Sequence, residues 1–398
     1  MKKIIKAALP LGFQANGLAC AIKRSGKPDL ALIYSESPAK AFGLFTTSKI
    51  ISGSLKFSQI NLKRSKHFQA IIVNSGNANC FTKEDSFNKA EEVASALARL
   101  LRIKKQEVLL ASTGIIGRPF PVNRIKTALP ILIRGLSESG LISVSRAIMT
   151  TDTFIKLSSA RIKIGESLIT ICGLAKGAGM IAPNLTLHHF SRNKGKGRKV
   201  AGAKATMLCF ILSDVNITQK ALRKALREAV DNSFNCITVD GCMSTNDTLF
   251  LMSNSCANNP LIEEGSRDFD RFSSVLGRIC LDLAKMIIRD AEGATKFIQI
   301  KVSQARTYQE AKQVGLSIAN SNLFKAAMFG QSKNFGRVVA AIGASGINTK
   351  ERDLKIKVSP LNKKDISLMV KLKRGNCQAV VYTSDLTPEY VKINADYS

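Results

Sequence analysis

Residues 207–212 read MLCFIL, six apolar side chains in succession. The run is far shorter than the roughly 18 residues of a membrane span, and its flanks are polar, so it reads as a buried strand. A strand with no polar face needs a covering layer, and the neighbouring sequence supplies helices to make one. Thr218 is an N-cap for a helix that sets Leu222, Ala225, Leu226, Ala229 and Val230 on one face. Val275, Leu276, Ile279, Leu283, Met286 and Ile287 form the stripe of the clearest helix, 272–288. Further strands are expected at 30–34, 69–73, 108–111, around 237–239, at 338–342 and at 379–382, with a helix over 86–101. This mixed order predicts an α/β (α+β layered) fold, and 398 residues suit more than one subdomain.

The formal charge is +30, which raises the question of nucleic acid. Lys and Arg are nevertheless spread over the whole chain, Trp is absent, and there are 5 Tyr, so stacking platforms are scarce. The expectation is no nucleic acid and no membrane, with a general field that favours anionic substrates. Nine cysteines show no CxxC pair, and 3 histidines offer few ligands, so neither a disulfide framework nor a metal site is predicted. Lys6 and Pro10 interrupt the apolar start of the chain, and a soluble, cytoplasmic protein is expected.

The same scarcity of histidine limits the chemistry. His67, His188 and His189 all lie in polar or charged surroundings, and none reads as a general base. The glycines of AKGAGMIAPN (175–184) lack the spacing of a dinucleotide loop. Acyl transfer without histidine remains open to a threonine whose own α-amine is freed by backbone cleavage, because the amine then accepts the hydroxyl proton. The Ala205–Thr206 seam is such a point: a basic, glycine-containing stretch (192–204) precedes it and the buried strand follows. An ordinary loop–strand junction is the competing reading of Thr206.

Ordered motifs bear on that choice. IIVNSGNANC (71–80), ASTGIIGR (111–118), TTDT (150–153), AKGAGMIAPN, ATMLCF (205–210), TVDGCMSTNDT (238–248), AEGATK (291–296), FGRVVAAIG (335–343) and YTSDLTPEYVKINADYS (382–398) occur in this order. Together they closely resemble the glutamate N-acetyltransferase, or ornithine acetyltransferase, family of arginine biosynthesis, across essentially the whole chain.

The resemblance implies a self-processing N-terminal-threonine acyltransferase fold. Cleavage between Ala205 and Thr206 would give an α chain, 1–205, and a β chain, 206–398, with a C-terminal subdomain over roughly 295–398. Thr206 would be the nucleophile for cleavage and for acetyl transfer from N-acetylornithine to glutamate. Acetyl-CoA is a further acetyl source in bifunctional members, and no cofactor is implied. Thr113 and Gly114 match the family's oxyanion hole. Thr153, Lys176, Glu292, Asn394 and Ser398 match substrate contacts, with Glu292 facing an ammonium and Lys176 a carboxylate. Thr151 could stand in for Thr153. Asn74, Asn77 and Asn79 look structural. The family assembly implied is an α2β2 heterotetramer.

Two departures stand out. The segment from Lys176 to Thr206 is longer than the family pattern, the surplus being 185–204, next to the bond that must break. Cys242 stands where an Asp is usual. Two other readings stay open: an amidohydrolase or aminopeptidase of the same fold, and a basic binding protein impaired in cleavage.

Overall fold

The computed structural model describes residues 8–82, 85–187 and 206–395. Ala205, Ser398, His188, His189 and the basic stretch 192–204 therefore lie outside the described residues.

In chain order the first elements are β1 (Phe13–Leu18), β2 (Leu30–Thr46), α1 (Gly53–Arg64), β3 (Phe68–Asn77), α2 (Ser86–Leu101) and β4 (Val108–Ile115). Next come α3 (Val122–Arg134), α4 (Leu141–Ile148), β5 (Lys156–Ile164), β6 (Ser167–Lys176), β7 (Leu185–Thr186) and β8 (Leu208–Ser213). Then follow α5 (Gln219–Asp231), β9 (Thr248–Ser253), α6 (Arg267–Arg289), β10 (Phe297–Ala305), α7 (Tyr308–Ala319) and α8 (Asn322–Phe329). The last elements are α9 (Phe335–Gly343), β11 (Lys355–Val358), β12 (Asp365–Lys371), β13 (Cys377–Ser384) and α10 (Pro388–Ala395).

Strand β2 organises the larger sheet, whose order among the described residues is β4-β3-β2-β9-β8-β6-β5. Its first part, Leu30–Tyr34, pairs with β3, and its second part, Lys40–Phe45, pairs with β9. A register break between Tyr34 and Ala39 separates the two, so the sheet turns there and its halves face each other. The strand period then sorts side chains between layers. Leu208, Phe210 and Leu212 of β8 meet Ile33, Ile71, Val73 and Leu109 in the core between the halves. Met207, Cys209 and Ile211 point the other way, onto Leu222, Leu226, Leu276, Ile279 and Leu283 of α5 and α6. On the far side, Leu30, Leu32, Ile72 and Leu110 pack under α2 and α3. The result is helix, sheet, sheet, helix, a form of the α/β layering expected from the mixed order of strands and helices.

A second sheet, β11-β12-β10-β13, has its own core with α7, α8 and α9, in which Ile300, Val302, Leu368 and Val381 are buried. The helices at 86–101 and 219–231 lie as expected, and Thr218 caps the latter through its hydroxyl, which accepts from the Ala221 N–H. Two strand expectations fail. Residues 338–342 belong to α9, because Val338, Ala341 and Ile342 fall at helical spacing and face one core. Residues 237–239 form no strand: Thr238 N–H donates to Tyr382 and Val239 N–H to Ile181, two different segments, so no ladder develops.

Candidate active site

Thr206 sits just ahead of β8, and its side chain is buried with a residue exposure of 2%. Its Oγ1 lies 2.7 Å from Ser244 Oγ. Ser244 is held on three sides. Its N–H donates to Asp247 Oδ2 at 3.1 Å, its carbonyl accepts from Thr46 Oγ1 at 2.8 Å, and its Oγ accepts from Asn246 N–H at 3.1 Å. The other oxygen of Asp247 accepts from Met207 N–H at 2.9 Å, so one carboxyl fixes both the residue after Thr206 and Ser244. Burial pushes the Asp247 carboxyl up to about 7, against the two N–H donors that favour its charge.

Lys176, at the end of β6, is fully buried beside these groups. Its Nζ donates to the Thr206 carbonyl at 2.8 Å, to Thr150 Oγ1 at 2.8 Å and to Thr113 Oγ1 at 3.4 Å. Burial lowers its affinity for the proton, with Asp152 Oδ2 at 3.8 Å opposing. Thr113 lies near the end of β4 and is completely buried. Gly114 follows with φ +128, and a Cβ there would lie 2.3 Å from the Gly76 carbonyl carbon. Only glycine fits that approach.

A buried carboxylate–lysine frame supports this group. Lys156 Nζ bridges Asp152 at 2.6 Å and Asp290 at 2.5 Å. Asp152 also accepts from Gly177 N–H at 2.6 Å. Burial alone would raise the Asp152 carboxyl, but Lys176, Lys156 and the Gly177 N–H overcome it and hold the group well below the usual range. Asp290 caps the C-terminus of α6 and takes both the N–H and the hydroxyl of Thr153.

Beyond Asp290 the chain brings Glu292 against Gly179, where a Cβ would lie 2.2 Å from Glu292 Oε2. Glu292 Oε2 accepts from Asn394 Nδ2 at 3.0 Å, while its Oε1 is buried without a hydrogen-bond partner among the described residues. The hydroxyl of Thr151 is likewise buried and unpartnered. Thr151, Thr153, Glu292, Gly293 and Ile393 line one pocket of about 420 Å³. Two residues with orphaned polar atoms thus line the same pocket, a setting suited to a polar ligand.

Among the described residues, no group of three His, Cys, Asp or Glu side chains is placed to hold a metal ion, and no helix is long and apolar enough to cross a membrane. A family model, ArgJ family, matches residues 14–398.

The chain belongs to the ArgJ family.

Within that family it is 39% identical to the arginine biosynthesis bifunctional protein ArgJ of Geobacter sulfurreducens, over 97% of this chain and 98% of that one. It is 38% identical to the glutamate N-acetyltransferase of Methanocaldococcus jannaschii, over 98% of this chain and 97% of that one. Among solved structures, it resembles ArgJ of Bacillus halodurans, with 36% identity, coverage of 46% of this chain and 96% of that one, and a TM-score of 0.45. An ornithine acetyltransferase of Mycobacterium tuberculosis, complexed with ornithine, matches at 31% identity over 45% of this chain and 96% of that one, with a TM-score of 0.41.

Of the residues singled out in the sequence, the ArgJ fold gathers Thr206, Thr113 and Lys176 at one point and Glu292, Thr153 and Asn394 at another. Lys176 is already engaged with the Thr206 carbonyl and two threonine hydroxyls. Asn74, Asn77 and Asn79 bond to backbone groups near the ends of β3 and β4, among them Asn77 O and Pro119 O. Ser244, Asp247, Asp152, Lys156 and Asp290 escaped sequence reasoning. Ser244, Asp247 and Asp152 sit inside quoted motifs, and Asp290 immediately precedes one, but nothing in their spacing separates buried partners from turn residues.

Proposed function

We propose that this ArgJ protein transfers acetyl from N-acetylornithine to glutamate through an acetyl-Thr206 intermediate, after its chain breaks between Ala205 and Thr206. In the first step Thr206 Oγ1 adds to the Ala205 carbonyl carbon and gives up its proton, the C–N bond breaks, and the departing nitrogen takes that proton to become an amine. Water then hydrolyses the ester, leaving the Ala205 carboxylate and a free Thr206 amine. In turnover that amine takes the hydroxyl proton while Oγ1 attacks the acetyl carbonyl. Thr113 Oγ1–H and Gly114 N–H receive the developing oxyanion. The proton passes to the leaving amine of ornithine, and glutamate reverses the sequence to leave as N-acetylglutamate.

The observation that carries this reading is the convergence on Thr206: a buried hydroxyl 2.7 Å from Ser244 and a carbonyl 2.8 Å from the Lys176 ammonium, which also reaches Thr113. The unpartnered Glu292 Oε1 suits an ammonium group of either amino acid, and the Thr151 hydroxyl its polar neighbour, in place of Thr153, which Asp290 occupies. The chemistry needs hydroxyl, amine and N–H donors, and no resident cofactor. On this reading residues 1–205 and 206–398 become α and β chains that pair as α2β2 in the cytoplasm, with the subdomain from about 295 and Ser398 on the β chain. Acetyl-CoA is a second acetyl donor.

The deciding experiment is the intact mass under denaturing conditions, together with ornithine release. Two fragments summing to the chain plus water, and ornithine release that requires glutamate, are expected. A single full-length species that is fully active overturns the cleavage mechanism. Ornithine release indifferent to glutamate would make the protein an amidohydrolase.

A further inference from the structure

A second pocket, of about 810 Å³, opens beside Gly76, the residue packed against Gly114 of β4. Four cations, Lys23, Arg24, Arg118 and Arg124, stand on its wall with Gly76 and Asn77. Its volume is far more than an amino acid fills and is of the size that holds a nucleotide.

The chain carries +30, so clustered cations need a comparison. On the exposed face of α5, Lys220 and Lys224 each pair with Glu264 at 2.9 Å, and Glu228 and Asp231 stand among them. Among the described residues, no carboxylate lines the pocket beside Gly76. Asp29, the acid nearest in sequence, is buried and accepts from the N–H groups of Cys20, Ile22 and Lys23 at 2.7, 2.7 and 2.9 Å. Among the described residues the guanidinium groups of Arg24 and Arg118 make no ion pair. Apart from the buried Asp29, whose charge reaches Lys23, this positive charge has no internal compensation among the described residues, and it lines a concavity that focuses it.

The pocket also borders the reacting groups. Gly76 lines it, and the same glycine lies against Gly114 so closely that no Cβ could stand between them. Lys23 feels the inner site: burial brings its ammonium down to about 8, Asp29 opposes, and the charge of Lys176 adds to the lowering.

We propose that this pocket binds a pyrophosphate-bearing ligand of nucleoside-diphosphate type, with Arg24 and Arg118 as its phosphate contacts. Guanidinium groups match phosphate oxygens in pairs, and Arg124, which donates to the Ala21 carbonyl, braces the loop that carries Arg24. Two sources present this chemistry: the nucleotide half of an acyl-thioester carrier, or a free nucleotide that regulates the enzyme. Only the first source rests on the acyl-transfer reading above.

The test is calorimetric titration of the full chain with ADP, coenzyme A, adenosine and inorganic phosphate as probes. ADP and coenzyme A are expected to bind, and adenosine not to. Binding should weaken about tenfold or more in Arg24→Glu/Arg118→Glu, since each change removes a charge-assisted contact and adds a repulsion. Lys220→Glu/Arg223→Glu, on the α5 face, is the control and should bind as wild type. No binding of ADP or coenzyme A by the wild-type chain overturns the proposal. So does an equal loss in the α5 control, which would reduce the effect to the general field of the protein. ADP that competes with acetyl-CoA in glutamate acetylation identifies the carrier as the source; ADP that binds without such competition identifies a free nucleotide. Binding is read without turnover, so an inactive wild-type chain would sink the acyl-transfer reading and leave this one standing.

Discussion

The hydroxyl oxygens of Thr206 and Ser244 lie 2.7 Å apart, and both side chains are sealed from solvent. Three backbone-anchored hydrogen bonds fix Ser244, so its Oγ presents one remaining direction, toward Thr206. Thr206→Ala is expected to abolish both chain cleavage and acetyl transfer. Ser244→Ala removes two neutral hydrogen bonds, of which the one to Thr206 is worth about 1 kcal/mol, and should slow both by roughly five- to tenfold. Timed intact-mass spectra and kcat for ornithine release measure the two effects, and Ser244→Thr should restore part of each.

Asp247 gives the site a pH signature. Its carboxyl is raised to about 7 in the fold, well above an unfolded aspartate, so the folded chain holds a proton that the unfolded chain releases. Its contribution to stability is therefore full below about pH 4 and is lost as pH rises toward 7. Denaturant midpoints between pH 4 and pH 8 should show this fall superimposed on the rest of the titration. Asp247→Asn, which cannot titrate, should flatten that component.

Lys156 bridges two carboxylates, Asp152 and Asp290, with all three side chains at most 1% exposed. Lys156→Met would leave two buried negative charges with one cation fewer, and a loss of about 3–5 kcal/mol is expected. Urea unfolding followed by far-UV circular dichroism measures it. Because Asp290 lines the pocket beside Thr151 and Glu292, substrate affinity should weaken in the same variant.

Gly179 is required by space rather than by backbone angle. A methyl group there would lie 2.2 Å from Glu292 Oε2 and must push the carboxylate aside. Gly179→Ala should raise KM for N-acetylornithine by roughly ten- to a hundredfold, the range for one charge-assisted hydrogen bond. Glu292→Gln should act similarly, and the double variant should add little, which steady-state kinetics on the three proteins will show.

Thr151 and Thr153 make a pair of contrasting tests. The Thr151 hydroxyl is buried without a partner, whereas that of Thr153 is spent on Asp290. Thr151→Val is expected to raise KM several-fold and leave stability nearly unchanged. Thr153→Val should cost stability by about 1–3 kcal/mol, because it strips a donor from a buried carboxylate. Parallel KM and urea measurements separate the two.

Sequence by itself determined what depends on local period and on ordered motifs. The run at 207–212, the helical stripes at 86–101, 219–231 and 272–288, and the Thr218 cap are all written in residues that are neighbours along one element. The family is legible for a similar reason, since its motifs keep their order over the chain. The misjudged pieces, 237–239 and 338–342, are short apolar stretches whose period does not choose between helix, strand and loop; their partners, Tyr382, Ile181 and the core of the second sheet, chose for them.

Only the tertiary structure decided which polar residues meet. Lys176 and Thr206 are 30 positions apart, Lys156 and Asp290 are 134 apart, and Gly179 and Glu292 belong to different sheet and helix ends, yet each pair is in contact. Burial then assigns their chemistry. It raises the carboxyl of Asp247, lowers the ammonium of Lys176, and leaves Thr151 and Glu292 with atoms that no described residue satisfies. Such differences arise from lost water and from the direction of single hydrogen bonds, and neither is encoded in the spacing of letters along a chain.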